Sequence, residues 1–121
     1  MKISLHRHDP AREYWFDEGC FINELANDAE DSALSIALAR VLPGATTRWH
    51  LLEGIAERYV IQQGKGVVEV GDAPPRPVGK NDVVLIPSGC RQRITNTGSE
   101  DLVFLALCTP RFQPQTYRDL E

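Results

Sequence analysis

Short apolar runs with a period of two, broken at near-regular intervals by turn-forming clusters, constrain this chain more than any other feature. The runs are CFINEL (20–25), SIALARVL (35–42), RWHLL (48–52), ERYVIQ (57–62), GVVEVG (66–71), DVVLIP (82–87), QRITN (92–96) and LVFLALC (102–108). Between them stand NDAED, PGAT, GKG, GDAPPRP, PSG and NTGSED, all rich in residues that turn a backbone. Successive side chains of an extended strand point to opposite faces, so such runs make half-buried strands. No segment has the spacing of an amphipathic helix of three turns. Many short strands at this interval predict an all-β sandwich or barrel.

At 121 residues the chain has the size of one domain, 1–121. Residues 1–19, with Tyr14, Trp15 and Phe16, read as an arm that packs on the barrel or on a second subunit. Residues 111–121 read as a tail with little pattern of its own. The composition, 42% hydrophobic and 25% charged, is that of a globular domain. A net charge of −4 with no Lys/Arg cluster argues against a nucleic-acid partner. No stretch has the apolar length of a signal peptide or a membrane span. Cys20, Cys90 and Cys108 are odd in number and lack CxxC spacing, which suits reduced thiols and a cytoplasmic setting.

The central half of the chain carries two spaced motifs. Pro43-Gly44 is followed by five residues and then His50, and Glu57 lies seven residues before Gly64. Further on come Pro87-Ser88-Gly89, two residues, Gln92, three residues and Asn96. This resembles the cupin family, whose motifs run G(X)5HXH(X)3–4E(X)6G and G(X)5PXG(X)2H(X)3N. The match covers residues 43–96, the motif-bearing barrel core, with three departures. Leu52 stands where the second histidine belongs, Gln92 replaces the last one, and Gly79 precedes Pro87 by two residues more than the pattern has. The resemblance implies a jelly-roll β-barrel. Gly44, Gly64 and Gly89 fall where strands reverse and positive φ or a tight bend is needed.

Alternation places Arg48, His50 and Leu52 on one face, Glu57, Tyr59 and Ile61 on another, and Gln92, Ile94 and Asn96 on a third. If His50 points inward, as the resemblance implies, Arg48, His50, Glu57, Tyr59 and Gln92 gather at the barrel mouth. Metal-binding family members use three histidines and a glutamate. Here the implied metal set shrinks to His50, Glu57 and Gln92, for one divalent ion such as Mn, Fe, Ni or Zn. His6 and His8 form an HxH in the arm, read either as a solvated segment or as groups that fold over a mouth and restore the count. Arg48 either clamps a carboxylate or phosphate in fork geometry, or pairs with Glu57 or solvent. Arg40 interrupts an apolar strand and could point either way, and Cys90 and Cys108 read as structural thiols.

Three functions compete. The first is a small-molecule-binding barrel that recognises an anionic or carboxylate metabolite through Arg48, His50, Glu57 and Gln92, its mouth made more apolar by Leu52. The second is a metal-dependent isomerase, lyase or oxygenase built on the reduced His50/Glu57/Gln92 set. The third is a metal-free, epimerase-like acid/base enzyme with His50 as base, Tyr59 as acid and Glu57 orienting the imidazole. A homodimer is the expected assembly.

Overall fold

The computed structural model describes residues 1–121. Eleven strands follow one another: β1 (Tyr14–Phe16), β2 (Cys20–Ala26), β3 (Ser35–Val41), β4 (His50–Leu52), β5 (Ala56–Gln63), β6 (Lys65–Val70), β7 (Arg76–Gly79), β8 (Val83–Ile86), β9 (Gln92–Asn96), β10 (Leu102–Thr109) and β11 (Tyr117–Asp119). Only two single-turn 3-10 segments, Pro10–Arg12 and Pro114–Thr116, interrupt them. No helix is long and apolar enough to cross a membrane.

The strands form two antiparallel sheets, ordered β1-β2-β3-β10-β5-β8 and β11-β4-β9-β6-β7. The pairings nest: β3 with β10, β4 with β9, β5 with β8, and β6 with β7. This is one long hairpin folded across two facing sheets, an all-β jelly-roll barrel.

Alternation decides which side chains enter the barrel. Along β10, Leu102, Phe104, Ala106 and Cys108 are buried and the residues between them are not. Glu57, Tyr59 and Ile61 do the same on β5, and Gln92, Ile94 and Asn96 on β9. The main core joins Val41, Ile61, Ile94, Leu102 and Phe104 across both sheets. A smaller cluster of Leu52, Ile55 and Cys108, packed by Phe112 and Tyr117, lies toward the mouth.

The motif residues outside the pocket serve the frame. Gly44, Gly64 and Gly89 have φ of +78°, +82° and +72°, where an L side chain is strained. Gly64 is doubly constrained, since a Cβ there would lie 2.8 Å from the Asp101 carbonyl oxygen. Asn96 is fully buried because it ties a turn shut. Its amide donates to the Val41 and Glu100 carbonyls at 2.9 and 2.8 Å, and its oxygen accepts the Gly98 N–H at 2.9 Å.

Two segments differ from the sequence expectation. GDAPPRP, read as a break, gives its last residues to β7, and Pro77 is tolerated because β7 is an edge strand. The tail is not patternless. β11 extends the second sheet by pairing Tyr117 with Leu52 and Asp119 with His50.

Candidate functional site

A cavity of about 240 Å³ lies between β2, β3, β5 and β10 on one side and β4 with the C-terminal segment on the other. Thirteen of its twenty lining residues are hydrophobic, and it holds three carboxyl groups, Glu18, Glu24 and Glu57, with no lysine or arginine. Its chemistry is therefore that of acids, one imidazole and phenols in an apolar wall.

His50 opens β4 and is 2% exposed. Its Nδ1 lies 2.7 Å from the Arg48 carbonyl, which can only accept, so Nδ1 carries the proton. The other nitrogen, Nε2, faces Glu18 Oε1 at 3.1 Å. Tyr117 stacks on the ring at 5.3 Å between centroids and 17° between planes, which excludes water from one face. Burial accordingly pushes the His50 pKa below its ordinary value, against the opposing pull of the Arg48 carbonyl and Asp119.

Glu18 sits in the tight β1–β2 turn, where Gly19 takes φ of +106°. The turn aims the carboxyl inward beneath the barrel mouth. Burial first, then the field of Glu57, raises its pKa to about 8, while the Cys20 thiol, donating to Oε2 at 3.5 Å, lowers it slightly. At neutral pH Glu18 carries a proton and donates it to His50 Nε2. The contact thus sets one proton between a carboxyl oxygen and an imidazole nitrogen.

The second acid is Glu57, on β5. Gln92 donates to Oε1 at 2.9 Å, and the Tyr59 hydroxyl in turn donates to the Gln92 oxygen. The Cys108 thiol lies 3.9 Å from Oε2. Burial raises the Glu57 pKa to about 7, with the Gln92 and Cys108 contacts pulling it down. Burial also drives the Tyr59 pKa well above 10.0, helped by the nearby carboxyls. Its proton is committed to Gln92, which makes Tyr59 a poor acid as it stands.

The structure thus brings His50, Glu57 and Tyr59 to the cavity wall, with Leu52 beside them as an apolar surface. Gln92 does not line the cavity. It is 1% exposed and backs Glu57 and Tyr59, holding both. Arg48 requires a correction. β4 begins only at His50, so strand alternation does not reach back to residue 48, and its guanidinium turns outward to Asp119 at 3.1 Å. Arg40 also points outward, paired with Glu13 at 2.6 Å and Asp101 at 2.9 Å. The group orienting His50 is Glu18 rather than Glu57, and nothing in the spacing of the motifs marks a residue so far upstream. Phe112 and Tyr117, in the segment read as a plain tail, complete the lining.

The residues present do not suit a bound metal ion. No three His, Cys, Asp or Glu side chains gather at a spacing that could hold one. Leu52 offers no donor atom, and the Gln92 oxygen is taken by Tyr59. His6 and His8 do not restore the set: neither lines the cavity, and His6 pairs with Asp28 at 3.4 Å on the surface.

Comparison with known proteins places this geometry in a wider group. The family model described as Cupin domain matches residues 37–108. A curated relative from Thermotoga maritima, named oxalate-binding protein, is 35% identical over 77 residues, which make up 64% of this chain and 63% of the relative. The chain thus spans less than two thirds of that relative's length. Among solved structures, a predicted oxalate decarboxylase from Thermotoga maritima is 30% identical, with a TM-score of 0.68 over 75% of this chain and 80% of that one. KdgF from Halomonas sp. shares the fold at a TM-score of 0.78 and 18% identity, over 90% of this chain and 96% of its own. With the barrel, the motif spacing and the family model in agreement, this chain belongs to the cupin family.

Proposed function

We propose that the cavity is an acid/base site for a small organic molecule with an apolar body and a hydrogen-bonding head group. The observation that carries this reading is the Glu18–His50 contact at 3.1 Å on the cavity wall. A carboxyl and an imidazole sharing one proton can give it to, or take it from, a bound molecule. A general acid or base works best with a pKa near the working pH, and Glu57, at about 7, is so placed on the facing wall. Glu57 is braced by Gln92 and Tyr59, while the apolar lining excludes water and strengthens each polar contact.

The test is hydrogen exchange at carbon. The protein is incubated in D2O with a panel of small hydroxy and keto compounds, sugars and nucleosides, and loss of carbon-bound hydrogen is followed by proton NMR. Exchange that disappears in His50→Ala and in Glu18→Gln supports the proposal. A panel showing neither exchange nor binding at neutral pH sinks it.

A second reading is favoured by the relative named oxalate-binding protein. With no cation in the lining, a carboxylate ligand would enter together with a proton, held between protonated Glu57 and the Glu18–His50 pair. Its affinity would then fall as pH rises above about 7, by roughly tenfold per unit while one proton is taken up. Titration of oxalate and simple mono- and dicarboxylates by calorimetry at two pH values would show this. Equal affinity at both removes the proton-coupled carboxylate.

A further inference from the structure

The cavity sorts the chain's side chains by chemistry more sharply than its frame requires. All three tyrosines and three of the four phenylalanines line it, together with the carboxyl groups of Glu18, Glu24 and Glu57. None of the thirteen lysines and arginines does. Every arginine that forms an ion pair, Arg40, Arg48, Arg91, Arg93 and Arg118, finds its acid outside the cavity. Arg111, beside the lining residue Phe112, gives its guanidinium to the Asn27 side-chain oxygen at 2.9 Å.

The three carboxyls converge, and the protein matches them incompletely. The field of Glu57 reaches Glu18, and Glu57 and Glu24 both act on the Cys108 thiol. Glu57 is 8% exposed. Gln92 holds its Oε1, but Oε2 has only the Cys108 thiol, 3.9 Å away. Glu24 receives one weak hydrogen bond, from the Asn27 amide at 3.4 Å. Burying an acid in an apolar wall is costly, and contacts of this length offset little of that cost. The rest of the wall is ring and hydrocarbon, and an aromatic face is itself negative. The rings are held firmly: Tyr59 packs on Phe104 at 4.3 Å between centroids, and Phe16 on Tyr117 at 5.1 Å.

We infer that the molecule this cavity takes is an amine, its ammonium group set among Glu57, Glu24 and Glu18 and its apolar body against the rings. This rests on the acid/base reading above and names the head group that reading leaves open. An ammonium leaves water readily only where it meets opposite charge, and this wall offers carboxyls and negative ring faces together. It also donates three hydrogen bonds, whereas a neutral hydroxyl donates one and leaves the other carboxyls as they were. A carboxylate would meet neither a lysine nor an arginine and would have to bring its own proton. Burial keeps Glu57 and Glu18 partly protonated near neutral pH, at about 7 and about 8, and an adjacent ammonium would draw both toward the ionised form.

The experiment compares head groups on a fixed body. Benzylamine, benzyl alcohol and benzoate, and the slimmer butylamine, butanol and butyrate, are titrated into the full chain at pH 8 by calorimetry. The His50 ring signals, followed by NMR, report whether binding is in the cavity. At least one amine should bind about tenfold or more tighter than the alcohol and the carboxylate of the same body, and should shift the His50 signals. Glu57→Gln should weaken it about tenfold, and the partly buried Glu24→Gln in the same direction, with near-ultraviolet circular dichroism checking that both variants fold. An alcohol or carboxylate that binds in the cavity within tenfold of its amine overturns the inference and leaves the acid/base reading standing. Amine binding that leaves the His50 signals unmoved, or that both folded variants retain in full, also overturns it, as adhesion of a cation to a chain of net charge −4. If no amine binds, the inference falls, and the acid/base reading falls with it only where the deuterium-exchange panel is silent as well.

Discussion

His50 Nε2 and Glu18 Oε1 stand 3.1 Å apart, and the carbonyl of Arg48, by claiming the Nδ1 proton, leaves Nε2 as the acceptor of that contact. The acid must then be the donor at neutral pH, which agrees with its pKa of about 8. Infrared titration can count such protons directly. At pH 6 the carbonyl stretch of protonated, buried carboxyls should report both Glu18 and Glu57. The signal should fall in two steps, through about 7 for Glu57 and about 8 for Glu18. Glu57→Gln should remove the first step and Glu18→Gln the second. Both carboxyls ionised at pH 6 would contradict the shared proton.

The same shifts set how stability depends on pH. Each acid has a folded pKa raised from 4.5, so between that value and about 7 or 8 the folded state holds protons that the unfolded chain has released. Their contribution is fully present below pH 4.5 and is lost as pH rises through the folded pKa values. At ~1.4 kcal/mol per unit the two together amount to several kcal/mol. His50 works the other way: its lowered pKa costs stability as pH falls below about 6.5. Unfolding in urea should therefore show a maximum on the acid side of neutrality and a decline toward pH 9. The double Glu→Gln variant should flatten that decline. A parent protein more stable at pH 9 than at pH 6 would refute the assignment.

The barrel was legible because its information is local. Alternation along ERYVIQ puts Glu57, Tyr59 and Ile61 on one face, and all three are buried. The site was legible only where it shares those strands, as His50 and Glu57 do. Glu18 lies in a turn, and only the folding of the β1–β2 hairpin under β4 brings it to His50, which no periodicity records. β11 has one apolar residue in three, too few for a pattern, so the sheet edge it completes was not visible. Arg48 misleads for a related reason. Alternation holds within a strand, and its strand starts two residues later.

Leu52 is the residue whose reversal would test the metal question. It follows His50 by two positions and is 5% exposed on the cavity wall, so histidine there would face the same space. Combined with Gln92→His it would set three imidazoles beside Glu57. Tag-free Leu52→His/Gln92→His should retain close to one equivalent of a divalent metal through dialysis, where the parent chain, with one pocket imidazole, should hold it weakly. Each buried substitution should cost about 1–2 kcal/mol in the metal-free state, with bound metal restoring stability. Elemental analysis and melting with and without zinc or manganese read both effects. A correctly folded double variant that binds no metal would show that the ligand positions no longer converge.

Tyr117 offers the sharpest separation of roles, because it touches His50 through its ring alone. Burial is the main reason the His50 pKa is low, and the stacked phenol supplies part of that burial. Tyr117→Ala should admit water over the imidazole and raise its pKa toward 6.5, while the Arg48 carbonyl keeps the proton on Nδ1. The cost should be about 2 kcal/mol, since the ring is only partly buried and also packs edge-on to Phe16. Nitrogen NMR of the imidazole reports tautomer and pKa in one titration. An unchanged tautomer with a raised pKa places Tyr117 as a lid on the acid/base pair. A changed tautomer would mean that the tail instead holds β4 in place, since Asp119 pairs with His50 through the same strand.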